Sequence, residues 1–319
     1  MKILITGSSG YVGNFLVEHF TSLGQDVVGC DVHMMERQKV LSHFIFRLLD
    51  VTDSEACHRI VQEEKPDRVI HLAYLMNPQH DAEFERSVDV DGSMNVFIAA
   101  NACESVKQFL QYSSTSTYGA NTFNELWIEE TTPLRPNDYV YGKHKKTVEE
   151  ACAEMPKRED MKLVIVRMCT AVGPTYYKPG SVISTFTKAP VALAVDGVDM
   201  KVQWIYEDDV KALLYLILKD MEIEGTYNLV PDSFTSIAEM AHTQKKPIIY
   251  VPGFLLRAIF WVLWTLRLSN TSPPMARLMT YGIVASPKKL QERYSYVFSK
   301  TSLQAFVDTV DLRRKNGTL

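Results

Sequence analysis

The stretch Lys2-Ile3-Leu4-Ile5-Thr6-Gly7-Ser8-Ser9-Gly10-Tyr11-Val12-Gly13 decides the fold of this 319-residue chain. Residues 3–5 form an apolar run the length of one buried strand, and from Val12 the apolar positions Val12, Leu16, Phe20 and Leu23 follow a helical pattern. Between them Gly7, Gly10 and Gly13 stand three apart. The order is strand, tight turn, helix N-terminus. Glycine lacks the Cβ that would hold a ligand away from the backbone, and the free N–H groups and positive dipole end of a helix start attract phosphate. The turn therefore predicts a bound dinucleotide, touched by Gly7, Ser9, Gly10, Tyr11, Val12 and Gly13. Such spacing also occurs in plain strand-to-helix connections, and the context strengthens the reading: residues 27–30 look like a second strand ending at Asp31. A carboxylate there accepts both ribose hydroxyls of an adenosine and repels a 2′-phosphate, which favours NAD over NADP.

Bulk properties bound the rest. The length suits a large core, one domain plus a smaller lobe. A net charge of −4 gives no reason to expect a nucleic-acid partner. The five cysteines, Cys30, Cys57, Cys103, Cys152 and Cys169, form no Cys-x-x-Cys or His-rich pairing, which argues against a disulfide framework and against a metal site. A reducing, cytoplasmic setting fits. The first strand begins at residue 2 or 3, leaving no room for a secretory signal. Residues 254–268 are the most apolar stretch. Arg257 and Arg267 interrupt them and they fall short of the ~20 residues that cross a bilayer, so no stable membrane span is expected. A buried or pocket-covering helix is the plainest expectation; two arginines and two tryptophans also suit a membrane-surface helix or a partner interface.

Strand-like runs at 45–49, 68–73, 108–113 and 163–167 alternate with helical patterns at 54–64, 88–102 and 139–154. Regular alternation implies parallel strands with crossover helices: an α/β fold with a Rossmann-type doubly wound parallel sheet. Ligands of such sheets bind at the strands' carboxyl ends, where Asp50, Leu72-Ala73 and Ser113-Ser114 fall. After Gly173-Pro174 the alternation weakens, with Pro179-Gly180, Pro190 and Gly197 marking loops. The division expected is residues 1–173 as the dinucleotide domain and 174–319 as a smaller C-terminal substrate-binding lobe. Residues 201–231 return to the first domain through strands at 201–206 and 226–230 and a helix at 208–218.

A Tyr-x-x-x-Lys pair puts a phenol and an ammonium on one helix face, where the cation favours the phenolate and makes it a proton acceptor for a hydroxyl. The chain contains the pattern four times, at Tyr139/Lys143, Tyr141/Lys145, Tyr215/Lys219 and Tyr296/Lys300. The first two compete on a helix that begins after Pro136-Asn137-Asp138. Ser114 could hydrogen-bond the same substrate oxygen.

These residues resemble the extended short-chain dehydrogenase/reductases, and within them the NAD-dependent sugar epimerase/dehydratase group that includes UDP-glucose 4-epimerase-like proteins. The opening turn resembles T-G-x-x-G-x-x-G, and Asp50-Val51 the adenine-side acid. His71-Leu72-Ala73-Tyr74 resembles H-L-A-A, Ser113-Ser114-Thr115-Ser116-Thr117-Tyr118-Gly119 resembles S-S-x-x-x-Y-G, and Tyr141-Gly142-Lys143-His144-Lys145 resembles Y-G-x-S-K. Residues 203–210 are similar to the segment of that group that ends in D-D-V. The resemblance selects Tyr141 and Lys145 and implies that they, with Ser114, are catalytic. It implies cofactor contacts at Asp50, Val51, Leu72, Ala73, Tyr74, Tyr141 and Lys145, and substrate contacts at Ser114, Thr115, Thr170 and Gln203. It also implies a homodimer through residues 88–102 and 139–154.

Departures from the pattern narrow the chemistry. Thr115-Ser116 stand where dehydratases carry an Asp-Glu pair, so the acid and base for water elimination are missing. Thr170 replaces an Asn, Asp89 replaces an Asn, and Gln203 replaces an Arg that touches the nucleotide-sugar diphosphate; a neutral amide is no substitute for a guanidinium fork. The expected activity is NAD-dependent epimerisation of a nucleotide sugar through a 4-keto intermediate. The alternatives are oxidation or reduction of a bulky apolar alcohol or ketone, and a non-catalytic dinucleotide-binding scaffold. Plainer roles are expected for Ser113 and Thr117 as turn hydrogen-bonders, His71 as a satisfied buried histidine, Asp208-Asp209 as a helix start, and Tyr176-Tyr177 as lobe surface.

Overall fold

A computed structural model of the chain describes residues 1–176, 182–268 and 272–317; Tyr177, Pro179 and Gly180 lie outside the described residues. The first half carries strands β1 (Lys2–Thr6), β2 (Asp26–Asp31), β3 (Phe44–Leu48), β4 (Arg68–His71), β5 (Gln108–Ser114) and β6 (Lys162–Met168). Helices α1 (Tyr11–Ser22), α2 (Ser54–Glu64), α3 (Ala82–Arg86), α4 (Gly92–Asn101) and α5 (Val140–Glu154) lie between them. Further on come β7 (Thr170–Val172), α6 (Val182–Lys188), β8 (Ala192–Val195), β9 (Lys201–Val202), β10 (Trp204–Tyr206), α7 (Glu207–Lys219) and β11 (Gly225–Leu229). The chain continues through β12 (Thr235–Ser236), α8 (Ile237–Thr243), β13 (Ile248–Val251), α9 (Gly253–Thr265), α10 (Met275–Leu278), α11 (Lys288–Tyr294) and α12 (Ser302–Lys315).

Seven strands form one sheet in the order β11-β6-β5-β4-β1-β2-β3. The pairings β1–β2, β2–β3, β1–β4 and β4–β5 are all parallel. Ile3, Leu4, Ile5, Val69, Ile70, Phe109 and Leu110 are completely buried, as a parallel sheet covered on both faces requires. The chain leaves β1 toward β2 and β3, then crosses to β4 on β1's other side. The order reverses at β1, so the glycine turn after it stands at the switch point where such sheets bind ligands. At the opposite strand ends, Arg68 Nε donates to Leu218 O at 3.0 Å and Gln108 Nε2 to Ile217 O at 3.0 Å. These buried side chains satisfy carbonyls in the last turn of α7 and dock that helix on the sheet.

Two compact units emerge. One comprises residues 1–114, 143–167 and 211–227; the other comprises 115–142, 168–210 and 228–319. The returning segment is thus narrower than 201–231, and the first domain's continuous run to 173 is broken by residues 115–142. That segment belongs with the second unit because its backbone is tied there: Ile128 N donates to Val284 O and Ser286 N to Ile128 O, both at 2.9 Å. Within the second unit β7 pairs with β10 and β8 with β13 in parallel, while β9 pairs with β12 antiparallel. The single strand expected at 201–206 is therefore two, separated at Gln203.

Two helices differ from expectation. The helix read at 88–102 begins earlier, where Asp81 caps α3 by accepting from Phe84 N at 2.9 Å, and it passes through a π-helical turn at Ser87–Asp91 before α4. The helix α9, for which a buried or pocket-covering position is the plainest expectation, buries only Leu256 fully. Its apolar residues exceed what one packing face can cover. Among the described residues no helix is long and apolar enough to cross a membrane.

Candidate active site

The opening turn is packed to the limit of its backbone. Gly7 adopts φ +70°, and Gly10 N donates back to Gly7 O at 3.0 Å. A Cβ on Gly7 would lie 2.6 Å from Ala73 N, and one on Gly13 would lie 2.1 Å from Gly7 O. The turn, the start of α1 and the end of β4 can meet only without those side chains. Helix α1 starts at Tyr11 with Gly10 as its cap, with no side-chain cap bond and no acid in the first turn. No carboxylate of the helix's own first turn answers its N-terminal dipole, which suits a pyrophosphate. Gly13→Ala is expected to cost about 1–3 kcal/mol through backbone overpacking and to abolish NAD binding. Thermal melting and titration calorimetry check both.

Asp31 ends β2 against this turn. Its Oδ2 accepts from Ser9 N at 2.9 Å and its Oδ1 from Val32 N at 2.8 Å. These bonds fix the carboxylate at the strand end. Asp50 is exposed and accepts from Thr52 N at 3.0 Å and Thr52 Oγ1 at 2.8 Å, whereas Val51 is buried beside Gly92. The glycine cradle, the helix start and Asp31 together fit a dinucleotide.

Helix α5 sets Tyr141 and Lys145 four residues apart, on one face. Tyr141 is buried, its ring centroid 5.7 Å from that of Tyr139. Lys145 is buried too: Nζ donates to Tyr112 O at 2.7 Å and sits 3.5 Å from the centre of the Tyr74 ring. Tyr74 stands where the resembled pattern has Ala, and it gives the lysine a cation–π partner. Ser114, half-buried, closes β5 and leads into the buried 3-10 turn Thr115–Tyr118.

Burial lowers the Lys145 pKa from 10.5 to about 7, against the opposing pull of the Asp89 and Glu149 carboxylates. The unfolded chain then holds this proton more tightly than the fold does. Stability from Lys145 is lowest below about pH 7, where both states are charged, and rises toward about pH 10.5 as the unfolded state alone stays protonated. Lys145→Met is expected to flatten that rise and to raise the melting temperature below neutrality, measurable by melts across about pH 6 to 9.5.

One turn beyond Lys145, Glu149 accepts a hydrogen bond from Ser113 Oγ and bonds from Arg167 at 3.0 Å (Nε) and 2.7 Å (Nη2). All three side chains are buried. Ser113 therefore braces α5 against β5 and is no turn hydrogen-bonder. Beside Lys145, His144 Nδ1 lies 3.0 Å from Asp89 Oδ2, and Asp89 Oδ1 accepts from Leu75 N at 2.9 Å. The π-helical turn carries Asp89 into this position, tying α5 to the loop after β4. Buried Glu85 joins them, its carboxyl raised by burial. Glu149, Arg167 and the His144–Asp89 pair were missed by sequence reasoning. A signal existed: Asp89 for Asn and His144 for Ser are two departures from the same pattern, and they contact each other.

The remaining expectations divide. His71 is a satisfied buried histidine, with Nδ1 2.7 Å from Thr6 Oγ1 and Nε2 2.9 Å from Ser93 Oγ; burial brings its pKa down to about 3, so it stays neutral. Gln203, expected at the substrate, is buried with its amide committed to backbone: Nε2 donates to Pro231 O at 2.9 Å and Ala285 O at 3.0 Å, and Oε1 accepts from Ala285 N at 2.8 Å. It joins three segments of the second unit. Asp209 accepts from Tyr296 Oη at 2.8 Å and from Ser299 N at 2.8 Å, anchoring that loop as well as standing in the first turn of α7. Thr115 is buried and Thr170 exposed at the start of β7.

The sheet order, the glycine turn at its switch point and the acid at the end of β2 define a dinucleotide-binding enzyme fold. The chain belongs to the NAD dependent epimerase/dehydratase family, whose pattern it matches over residues 3–229. It is 21% identical over 96% of its length, and 82% of the relative's, to an uncharacterized protein of Mycobacterium tuberculosis. Over 54% of its length it is 30% identical to the UDP-glucose 4-epimerase of Lactobacillus helveticus, covering 52% of that enzyme. Among solved structures it resembles the Bordetella bronchiseptica enzyme WbmG in complex with NAD and UDP, with a TM-score of 0.77, 22% identity and coverage of 99% and 94% of the two chains.

Proposed function

We propose that this chain is an NAD-dependent nucleotide-sugar epimerase. The observation that carries the reading is α5: Tyr141 and Lys145 share one face, with Lys145 anchored to the carbonyl of Tyr112 near the end of β5. Residues 115–116 offer only hydroxyls where water elimination needs an acid and a base, which argues against a dehydratase. The family to which the chain belongs and the sugar-nucleotide relatives support the substrate class.

In this reading Gly7, Ser9, Gly10, Tyr11, Val12 and Gly13 receive the pyrophosphate, and Asp31 the adenosine ribose. Leu72, Ala73, Tyr74 and Lys145 line the nicotinamide side, and Asp50 and Val51 the adenine side. Bound NAD supplies a reversible acceptor for the hydrogen on the substrate's alcohol carbon. Tyr141 takes the hydroxyl proton as that hydrogen leaves, giving the 4-keto sugar, and returns the proton when the ketone is reduced on its other face. Ser114 aligns the oxygen. Lys145 in its charged form favours the Tyr141 phenolate.

A second reading, oxidation or reduction of a bulky apolar alcohol or ketone, is favoured by Gln203: its amide is spent on backbone groups and no guanidinium stands at that position for a diphosphate. The experiment separates the two. Incubation with UDP-sugars is expected to yield the C4 epimer with no net NADH absorbance. Stoichiometric NADH production from an apolar alcohol, without epimer, would replace this reading with the second; inertness toward both classes, with NAD still bound, would leave a scaffold.

A further inference from the structure

Helix α9 is apolar at every position but Gly253, Arg257 and Thr265. Leu256, Phe260, Leu263 and Trp264 follow i, i+4, i+7, i+8 spacing and form the inner stripe, where Leu256 packs with Val195 and Ala276. Outside that stripe Phe254, Leu255, Ile259, Trp261 and Val262, with Leu266 just after the helix, are all exposed; Phe254 is 77%, Trp261 60% and Leu266 61% accessible. Ile249 and Tyr250 on β13 extend the exposed apolar run in sequence. A helix this apolar suits a protein interior or a lipid environment, and exposed apolar surface of this kind marks an interaction site.

Length and charge choose the occupant. Thirteen residues make a helix of about 20 Å, short of a bilayer's ~30 Å core, so α9 suits lying along a membrane and not crossing it. The only charged residue in α9 is Arg257, and Arg267 follows it; both are exposed. From residue 240 to 291 the sequence holds seven Lys/Arg (245, 246, 257, 267, 277, 288 and 289) and no Asp or Glu, in a chain whose 38 acidic residues outnumber its 34 basic ones. A second copy docked symmetrically would set like cations against each other. An anionic lipid surface accepts the apolar face and the cations together.

We infer that α9 seats this protein on the surface of membranes containing anionic phospholipid, with Phe254, Trp261 and Leu266 in the headgroup–acyl boundary and Arg257 and Arg267 at the headgroups. Membrane seating through α9 does not depend on the proposed reaction. Its test is co-sedimentation of the full chain with vesicles of phosphatidylcholine alone or mixed with phosphatidylglycerol, for the native chain and the triple variant Phe254→Glu, Trp261→Glu, Leu266→Glu. These side chains are exposed, so the fold should hold; melting temperature and NAD binding verify that. The expected result is binding to the mixed vesicles that weakens with added salt and falls about tenfold or more in the variant. Failure to bind either vesicle overturns the inference, as does equal binding by the variant. A dimer that the triple substitution converts to monomer, without vesicle binding, overturns it in favour of self-association.

Discussion

Tyr141→Phe is expected to lower kcat for a UDP-sugar by about 10²–10⁴-fold, the usual contribution of a positioned acid–base group, with NAD affinity and melting temperature nearly unchanged. The substitution removes one oxygen and keeps the ring that packs beside Tyr139. Loss of turnover with the fold intact would then report on proton transfer alone. The readout is single-turnover epimer formation together with calorimetric NAD binding. Full activity in the variant would end the assignment of Tyr141 as the base, and Tyr139, which the sequence places in the competing pattern, would be the next candidate.

The largest stability effect is expected at Arg167. Its guanidinium and the Glu149 carboxylate are 7% and 4% exposed and bonded to each other at 2.7 Å. Arg167→Leu would leave a buried carboxylate without its guanidinium, and removal of one member of a buried ion pair costs about 3–5 kcal/mol. The double variant Arg167→Leu, Glu149→Leu removes both charges and should recover most of that loss. Chemical denaturation of the single and double variants tests this. Equal destabilisation in both would show that shape, not charge, governs the site. Activity should suffer in the single variant as well, because Glu149 lies one turn after Lys145 and fixes the part of α5 that presents it.

Much of the site was legible because its signals are local. Gly7, Gly10 and Gly13 are dictated by contacts within one turn and with the adjoining strand, so their spacing in sequence mirrors their geometry. Tyr141 and Lys145 share a face through helical periodicity alone. Asp31 follows from the length of a strand. The buried polar pairs were not legible in the same way. Glu149 meets Arg167, Lys145 meets Tyr112 and Tyr74, and His144 meets Asp89 only because the sheet order puts β4, β5 and β6 side by side, with α5 packed near their carboxyl ends. Gln203 reads in one dimension as a weakened substrate contact; its actual partners, Pro231 and Ala285, come from distant parts of the chain.

By itself, then, the sequence determined the alternating α/β architecture and the glycine turn, which follow from periodicity and from the space a glycine leaves, and offered four Tyr-x-x-x-Lys faces, of which the family resemblance singles out Tyr141 and Lys145. Tertiary structure alone decided that Lys145 is held buried between a carbonyl and the Tyr74 ring, that residues 115–142 belong to the second unit, and that α9 shows its apolar face outward. Those outcomes depend on which strands become neighbours and on how much apolar surface the core can cover, quantities set by the packing of the whole chain.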